Sequence, residues 1–180
     1  MKITAAVVPA RSAPFEIETL DLAAPLADEV LLRVVASGMC HTDLHARDGY
    51  FSNLSYPVVC GHEGAGIVEQ VGAAVTDIAP GDPVVISFPW CGECGPCRTE
   101  RIAYCERARP LKSSGRRADG SIPMSRNGEP FIPVSFINPR SRVSPSPQPR
   151  TSSRSAATRR SICWVRSAVV CRPAPARCSM

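Results

Sequence analysis

A chain of 180 residues can hold one full-sized domain or a small domain with an appendage, and its charge divides it in the second way. All 16 acidic residues lie before Ile137, while 9 of the 21 basic residues, all arginines, lie after Phe136, so the front carries about −4 and the tail about +9. No apolar run approaches the roughly 20 residues needed to span a bilayer, and Met1-Lys2-Ile3-Thr4-Ala5-Ala6-Val7-Val8-Pro9 lacks the long apolar core of a signal peptide. These features exclude a helical membrane protein and argue against a secreted disulfide scaffold, so the nine cysteines are expected to be reduced and cytoplasmic, where clustered thiols serve metals or chemistry.

Residues 3–8, 15–20 and 29–36 are short runs rich in β-branched and apolar side chains, broken by Pro and Gly, and each has strand length. After Cys40 the pattern changes to a short helical turn over residues 43–48, then to a polar loop that Pro57 ends by forcing extended backbone. Residues 66–71 and 83–88 predict two more strands, joined by Ala79-Pro80-Gly81-Asp82, which has turn chemistry. Such strands with Pro and Gly corners predict a mainly β, barrel-like fold.

From Trp90 to Cys105 glycines and cysteines replace the apolar alternation, so this lobe buries little and needs a staple. Residues 115–136 are irregular and polar, with Pro123, Pro130 and Pro133 arguing against any long element. From Ile137 onward there is no Gly, Lys, Asp or Glu. Only Ile162-Cys163-Trp164-Val165 and Ala168-Val169-Val170 offer apolar surface there, too little to offset the entropy of ordering the segment, so a disordered tail is expected over residues 137–180.

Cys91, Cys94, Cys97 and Cys105 form C-x-x-C-x-x-C followed by seven residues and a fourth Cys. Two-residue gaps let tight turns containing Gly92, Gly95 and Pro96 aim successive thiolates at one point, and the fourth closes a tetrahedron. Chance spacing or disulfides are the plain alternative, but four thiols at metal spacing are a strong signal. A closed four-thiolate site leaves no position for substrate, so its role is structural, and metal binding supplies folding energy.

Cys40-His41-Thr42-Asp43 and Gly61-His62-Glu63 supply a second, weaker donor set. A lone Cys–His pair is usually packing. Here Asp43 and Glu63 stand ready as acids that orient the histidine or tune a metal, Thr42 offers a hydroxyl, and His45 can pass a proton to water. Gly61, Gly64, Gly66 and Gly72 would permit close backbone approach around this site, or are ordinary turn punctuation. Cys60 has no assigned role beyond that of a small buried apolar residue.

With these motifs in order, Gly61-His62-Glu63-x-x-Gly66-x5-Gly72 included, residues 1–136 resemble the N-terminal, GroES-like catalytic domain of the zinc-containing alcohol dehydrogenases, in the medium-chain dehydrogenase/reductase superfamily. The residues Gly115-Arg116-Arg117-Ala118-Asp119-Gly120-Ser121 further resemble the aryl-alcohol (benzyl alcohol) branch. The resemblance implies a mainly β fold: a GroES-like partly open β-barrel with short helices and a structural zinc lobe at residues 90–106. It implies that Cys40 and His62 ligate a catalytic zinc and that Glu63 is the acid able to approach it. Thr42 would receive the substrate hydroxyl proton, His45 would continue the relay, and His41 would lie near the cofactor phosphates. Ser87 and Phe88 would contribute to the substrate pocket, with a packed core aromatic the plain alternative for Phe88. The implied partners are a small alcohol or aldehyde and NAD, and family members form homo-oligomers.

The family's third zinc ligand, a cysteine in a later G-P-L-G-C-G segment, and its nicotinamide-binding domain have no counterpart here, since nothing matches G-x-G-x-x-G after a strand and before a helix. Residues 171–180, written in GC-rich codons and read one nucleotide earlier, give Q-T-G-A-G-A-V-L-N. Residues 151–167 likewise permit N-V-V-K-V-G-G-D-A-P-L-D-L-L-G-P-L, and both resemble the family's continuation. The expectation is a coding sequence frameshifted at residues 136–138, an out-of-frame tail, and a missing cysteine codon straddling Ala168 and Val169.

As written, the chain is then expected to hold the structural zinc well and a catalytic zinc poorly, to bind NAD poorly and to lack turnover. A zinc-stabilised binding module without catalysis is the alternative, whereas Cys40 and the four-cysteine lobe disfavour a zinc-independent reductase. An arginine-rich nucleic-acid arm is disfavoured because Trp164 is the tail's lone stacking residue. Neither nucleic acid nor a membrane is expected as a partner.

Overall fold

The computed structural model describes residues 1–52, 54–117, 119–131, 142–145 and 162–165, the last two segments as backbone strands only. Strands β1 (Lys2–Val8) and β2 (Glu16–Leu22) form an antiparallel pair with Ile3 opposite Leu20 and Ala5 opposite Glu18. Alternation sends Ile3, Ala5, Val7, Leu20 and Leu22 to one buried face. The short β4 (Val58–Val59) borders β1, while β7 (Met124–Arg126) and β8 (Glu129–Phe131) extend the other edge, giving the order β4-β1-β2-β7-β8.

The second sheet is built on β3 (Glu29–Ser37), followed in space by β5 (Gly64–Val71) and β6 (Pro83–Ser87). Val30 and Leu32 join Val68, Ile78, Val84 and Ile86 in one core, while Leu31 points the other way and joins the core beneath β1 and β2. A strand that buries both faces at its start is the wall shared by two cores. Register shifts between Leu31 and Leu32 and between Val34 and Ala36 mark bulges that bend β3 as it leaves this wall. The sheet therefore curls, and the front strands alone form the expected partly open barrel. No helix among the described residues is long and apolar enough to cross a membrane.

The tail corrects one expectation. Two of its segments are strands rather than disordered chain: β9 (Arg142–Pro145) pairs antiparallel with β6, and β10 (Ile162–Val165) runs parallel to β3. The Ile162–Arg142 pairing closes the ring. The apolar run singled out as too small to fold alone gains a partner in the edge of β3, whose backbone groups it pairs. The rest of residues 132–180, including Ala168 and Val169, lies outside the described residues.

Helix α1 (His41–Asp48) is closed at its C-terminal end by three contacts. Gly49 takes the left-handed conformation (φ 76°), the Tyr56 hydroxyl donates to the carbonyls of Ala46 (2.6 Å) and Arg47 (3.0 Å), and Arg11 Nε donates to the Asp48 carbonyl at 3.0 Å. Ala46 packs with Val8, Val58 and Cys60, which gives Cys60 the expected place in an apolar cluster. Burial, with the nearby Asp43 charge, pushes its thiol up to about 12. The Tyr56–Pro57 peptide bond is cis.

The cysteine lobe contains α2 (Gly95–Arg98), a 3₁₀ turn at Ile102–Tyr104 and α3 (Ala108–Ser113). It is not coreless: Trp90, Cys105 and Leu111 are buried together against Ile102 and Ala108. Beyond it, Arg117 reaches back to Glu29 at 3.1 Å and donates to the Ala24 carbonyl at 2.7 Å, while Glu29 Oε2 also accepts from the Leu26 N–H at 2.8 Å. With side chains 6% and 2% exposed, this pair pins the loop after the lobe to the start of β3.

Candidate functional site

The site forms where β3 ends and β5 begins. The chain leaves β3 through Gly38 and Met39 to Cys40, which caps α1, and returns through His62 and Glu63 into β5. Ser37 Oγ and the Gly38 N–H both donate to the Glu63 carbonyl, at 2.8 and 2.9 Å, so the two connections are tied side by side. A Cβ at Gly38 would meet the Glu63 side chain, its carboxylate first and its Cβ at 3.1 Å, so a larger residue there would push Glu63 from its present position.

Asp43 joins the halves. Its Oδ2 accepts from the Cys40 N–H at 3.2 Å, closing the first turn of α1, and its buried Oδ1 faces His62 Nδ1 at 3.4 Å. The approach falls short of a hydrogen bond, but a carboxylate beside Nδ1 favours the proton on that nitrogen, which would leave Nε2 as the lone-pair donor. His62 Nε2 lies 3.6 Å from Glu63 Oε1, and one ligand atom from each of Cys40, His62 and Glu63 lies within 4.8 Å of the others. Thiolate, imidazole and carboxylate oxygen at that spacing suit a borderline divalent ion such as zinc. Exposure rises across the set, from 15% for the Asp43 side chain through 21% for His62 to 50% for Glu63.

Thr42 Oγ1 is 3.4 Å from Cys40 Sγ, at the edge of the donor group. His45 stands further along α1, its ring 4.6 Å from those of His41 and Tyr50. No hydrogen bond joins Thr42 to His45 among the described residues. An open cleft beside the donors is lined by Ala36, Ser37, His62, Glu63, Ala65 and Ile86 among others. Of the two residues expected in the pocket, Ser87 follows directly on Ile86, whereas Phe88 turns toward the lobe, edge-on to Trp90 at 6.3 Å with the Lys112 ammonium 5.0 Å above its ring. Gly61 and Gly64 flank His62-Glu63, but Gly66 and Gly72 serve β5's packing against the backbone of Arg33 and of Leu26–Ala27. Gly38, Tyr50 and Tyr56 are the contributors that sequence reasoning missed. An exposed glycine and two loop tyrosines carry no local signal of the contacts they make.

The second donor group is Cys91, Cys94, Cys97 and Cys105, with Sγ atoms within 4.8 Å of one another. All six cysteines among the fully described residues are free thiols, so disulfides do not hold the lobe. The N–H groups of Glu93 and Cys94 each lie 3.4 Å from Cys91 Sγ, and the Cys91 N–H donates to Cys105 Sγ at 3.3 Å. Although desolvation opposes ionisation, these amide contacts bring Cys91 down to about 6. Desolvation pushes Cys97 up to about 12, with the neighbouring sulfurs adding to the rise. Four converging thiols with amides aimed at one sulfur are a donor set for a tetrahedral, thiophilic ion with no open position.

The profile described as "Alcohol dehydrogenase GroES-like domain" matches residues 26–124, more than half of the chain. The chain belongs to the alcohol dehydrogenase GroES-like domain family. It is 44% identical over 132 residues to the NDMA-dependent alcohol dehydrogenase of Amycolatopsis methanolica, covering 73% of this chain and 35% of that protein. It is 42% identical over 132 residues to S-(hydroxymethyl)glutathione dehydrogenase of Escherichia coli, covering 73% of this chain and 36% of that protein. The chain thus spans about a third of the length of the curated relatives it matches.

Among solved structures of the family, an alcohol dehydrogenase zinc-binding domain protein from Burkholderia ambifaria superposes with a TM-score of 0.73 at 41% identity, covering 81% of this chain and 42% of that one. The benzyl alcohol dehydrogenase of Acinetobacter calcoaceticus gives 0.64 at 36% identity, covering 81% and 39%.

Proposed function

We propose that this chain is the metal-binding catalytic part of a zinc-dependent alcohol dehydrogenase that oxidises an alcohol, aromatic or benzylic, to the aldehyde with hydride transfer to NAD. The observation that carries the reading is the Cys40, His62 and Glu63 donor group with Asp43 behind the imidazole, within a chain of this family. The likeness to a structure named benzyl alcohol dehydrogenase supports the aromatic substrate class. We take the setting to be reducing and cytoplasmic, where clustered thiols serve metals. The partners proposed are a small alcohol or aldehyde and further copies of the chain, with no part for nucleic acid or a membrane.

A zinc at the first group would supply Lewis acidity, making an alcohol's proton easier to remove. Cys40 and His62 would hold it, and Asp43 favours the His62 tautomer that can. The Glu63 backbone is fixed by two hydrogen bonds, while its half-exposed carboxylate is free to approach the ion or withdraw. Thr42 would accept the hydroxyl proton beside Cys40, and His45 would pass it to solvent through an intervening water. His41, exposed one residue after Cys40, would meet the cofactor phosphates. A zinc at Cys91, Cys94, Cys97 and Cys105 would hold the lobe together around its small core.

We further propose that the 180 residues alone do not turn over, because residues 137–180 are read out of frame where the third ligand and cofactor domain belong. The test is metal analysis and NADH formation from benzyl alcohol, on this chain and on one made from the nucleotide sequence with the alternative frame restored. The expected result is one tightly held zinc and no NADH from the first, and turnover from the second. NADH formation by the first chain would overturn the out-of-frame reading. An inert restored chain that binds both zincs would overturn the dehydrogenase in favour of a zinc-stabilised binding module.

A further inference from the structure

His41 and His45 stand four residues apart on α1 and therefore share one face of the helix. Their ring centroids are 4.6 Å apart, with the planes at 84°. An imidazole nitrogen bonds a transition ion at about 2.0–2.1 Å, which puts the ring centre about 3.2 Å from the ion. Two rings on one ion then have centres roughly 4.5 Å apart at a right-angled N–metal–N arrangement, and roughly 5.2 Å apart at the tetrahedral angle. The spacing found here puts both imidazoles within reach of one ion once His41 turns its nitrogen inward, and imidazole suits Ni²⁺ and Cu²⁺.

The two rings are differently held. Tyr50 lies against His45 with centroids 4.6 Å apart and planes inclined by 31°, which keeps one imidazole in place, whereas His41 is exposed and able to turn toward an incoming ion. The nearby Asp48 carboxylate is taken by Arg47, at 2.7 and 3.1 Å, so the remaining positions on an ion would be filled by water. Neither histidine belongs to the Cys40, His62 and Glu63 group, and the chain has just three histidines.

We propose that His41 and His45 form a separate, solvent-accessible chelate for a nitrogen-seeking divalent ion of the Ni²⁺ or Cu²⁺ type. If the chain serves a dehydrogenase, such an ion would take up both imidazoles assigned to phosphate contact and proton relay; that consequence rests on the proposed function, but the chelate does not.

The experiment is isothermal titration of the untagged, zinc-saturated 180-residue chain with NiCl₂. One equivalent of Ni²⁺ per chain is expected, with at least a tenfold loss of affinity in His41→Asn and in His45→Asn, and with the equivalent retained in His62→Asn. Circular dichroism checks that each variant folds; should His45→Asn fail, the exposed His41→Asn decides alone. Absence of Ni²⁺ uptake overturns the proposal, as does uptake that survives in His41→Asn or uptake lost in His62→Asn alone. None of these results depends on turnover, so a failed chelate and a failed dehydrogenase remain distinguishable.

Discussion

Asp43→Asn probes the joint between the two halves of the site, because the change keeps the shape and removes one of two acceptors. The carboxylate accepts from the Cys40 N–H at 3.2 Å with one oxygen and stands 3.4 Å from His62 Nδ1 with the other, a close approach short of a hydrogen bond. An amide has one oxygen, so its NH₂ must confront one of those two nitrogens. Facing Cys40, it removes the bond that closes the first turn of α1, worth about 1 kcal/mol. Facing His62, it favours the tautomer with Nδ1 as acceptor and Nε2 protonated, which takes away the nitrogen that a metal needs. Solvent offers little repair, since the two side chains are 15% and 21% exposed. Loss of such an outer partner costs about 10–100-fold in metal affinity, or about 1.4–2.7 kcal/mol. Competition with a chromophoric chelator, run after the four-cysteine group has been filled, reads the weaker zinc directly. A variant that binds it within about twofold of the parent would refute the tautomer argument, and an equal loss at the cysteine lobe would show general unfolding instead.

Glu29→Gln leaves the Arg117 guanidinium, 6% exposed, without its counter-charge and is expected to cost about 3–5 kcal/mol in urea unfolding. Glu29→Leu combined with Arg117→Met should cost far less than the two single changes summed, and simple additivity would refute the buried pair. In the metal-free lobe, Cys91 ionises near 6 against an ordinary 9.0, so its stabilising contribution is complete above about pH 9 and fades as the pH falls toward 6. Cys97, shifted upward, contributes evenly through that window, and iodoacetamide at about pH 7.5 should label Cys91 well ahead of Cys97. Equal labelling would contradict the amide contacts. Gly72→Ala drives a Cβ into the carbonyls of Leu26 and Ala27 and should destabilise by about 1–3 kcal/mol. Gly81→Ala meets nothing within 4 Å and bears just the strain of its positive φ of 96°, so a thermal melt should rank it the milder change.

Where the sequence reading succeeded, the signal was local. The strand-length runs rich in β-branched and apolar side chains at residues 3–8 and 29–36 reappear as β1 and β3, because composition and length are read within the segment itself. The four-cysteine spacing is likewise complete within fifteen residues, and its thiols converge. What escaped reading joins distant positions. Arg117 looks like one more surface arginine until Glu29 is placed beside it, and Leu111 belongs to the lobe's core because α3 folds back on Trp90. The strand at Ile162–Val165 failed for the same reason: its apolar run is too short to fold alone, and what it needed was the edge of β3.

The candidate metal centre shows the same division between local and long-range causes, with a chemical consequence. Cys40 and Asp43 are placed by the helix they begin, and Asp43 Oδ1 stands 3.4 Å from His62 Nδ1, so two donors lie close together ahead of any ion. Pre-placement lowers the ordering cost of binding and favours one imidazole tautomer. Glu63 is built on the opposite principle: its carbonyl is clamped by Ser37 and Gly38, yet its carboxylate is half exposed and lies 3.6 Å from His62 Nε2. A rigid pair beside one adjustable oxygen can keep an ion bound while its coordination changes, which a Lewis acid that must admit and release substrate requires. The cysteine lobe, with four converging sulfurs and a buried core, has no such adjustable donor and suits an ion that never exchanges. On the proposed function, the contrast in side-chain freedom would separate a group that does chemistry from one that holds the fold.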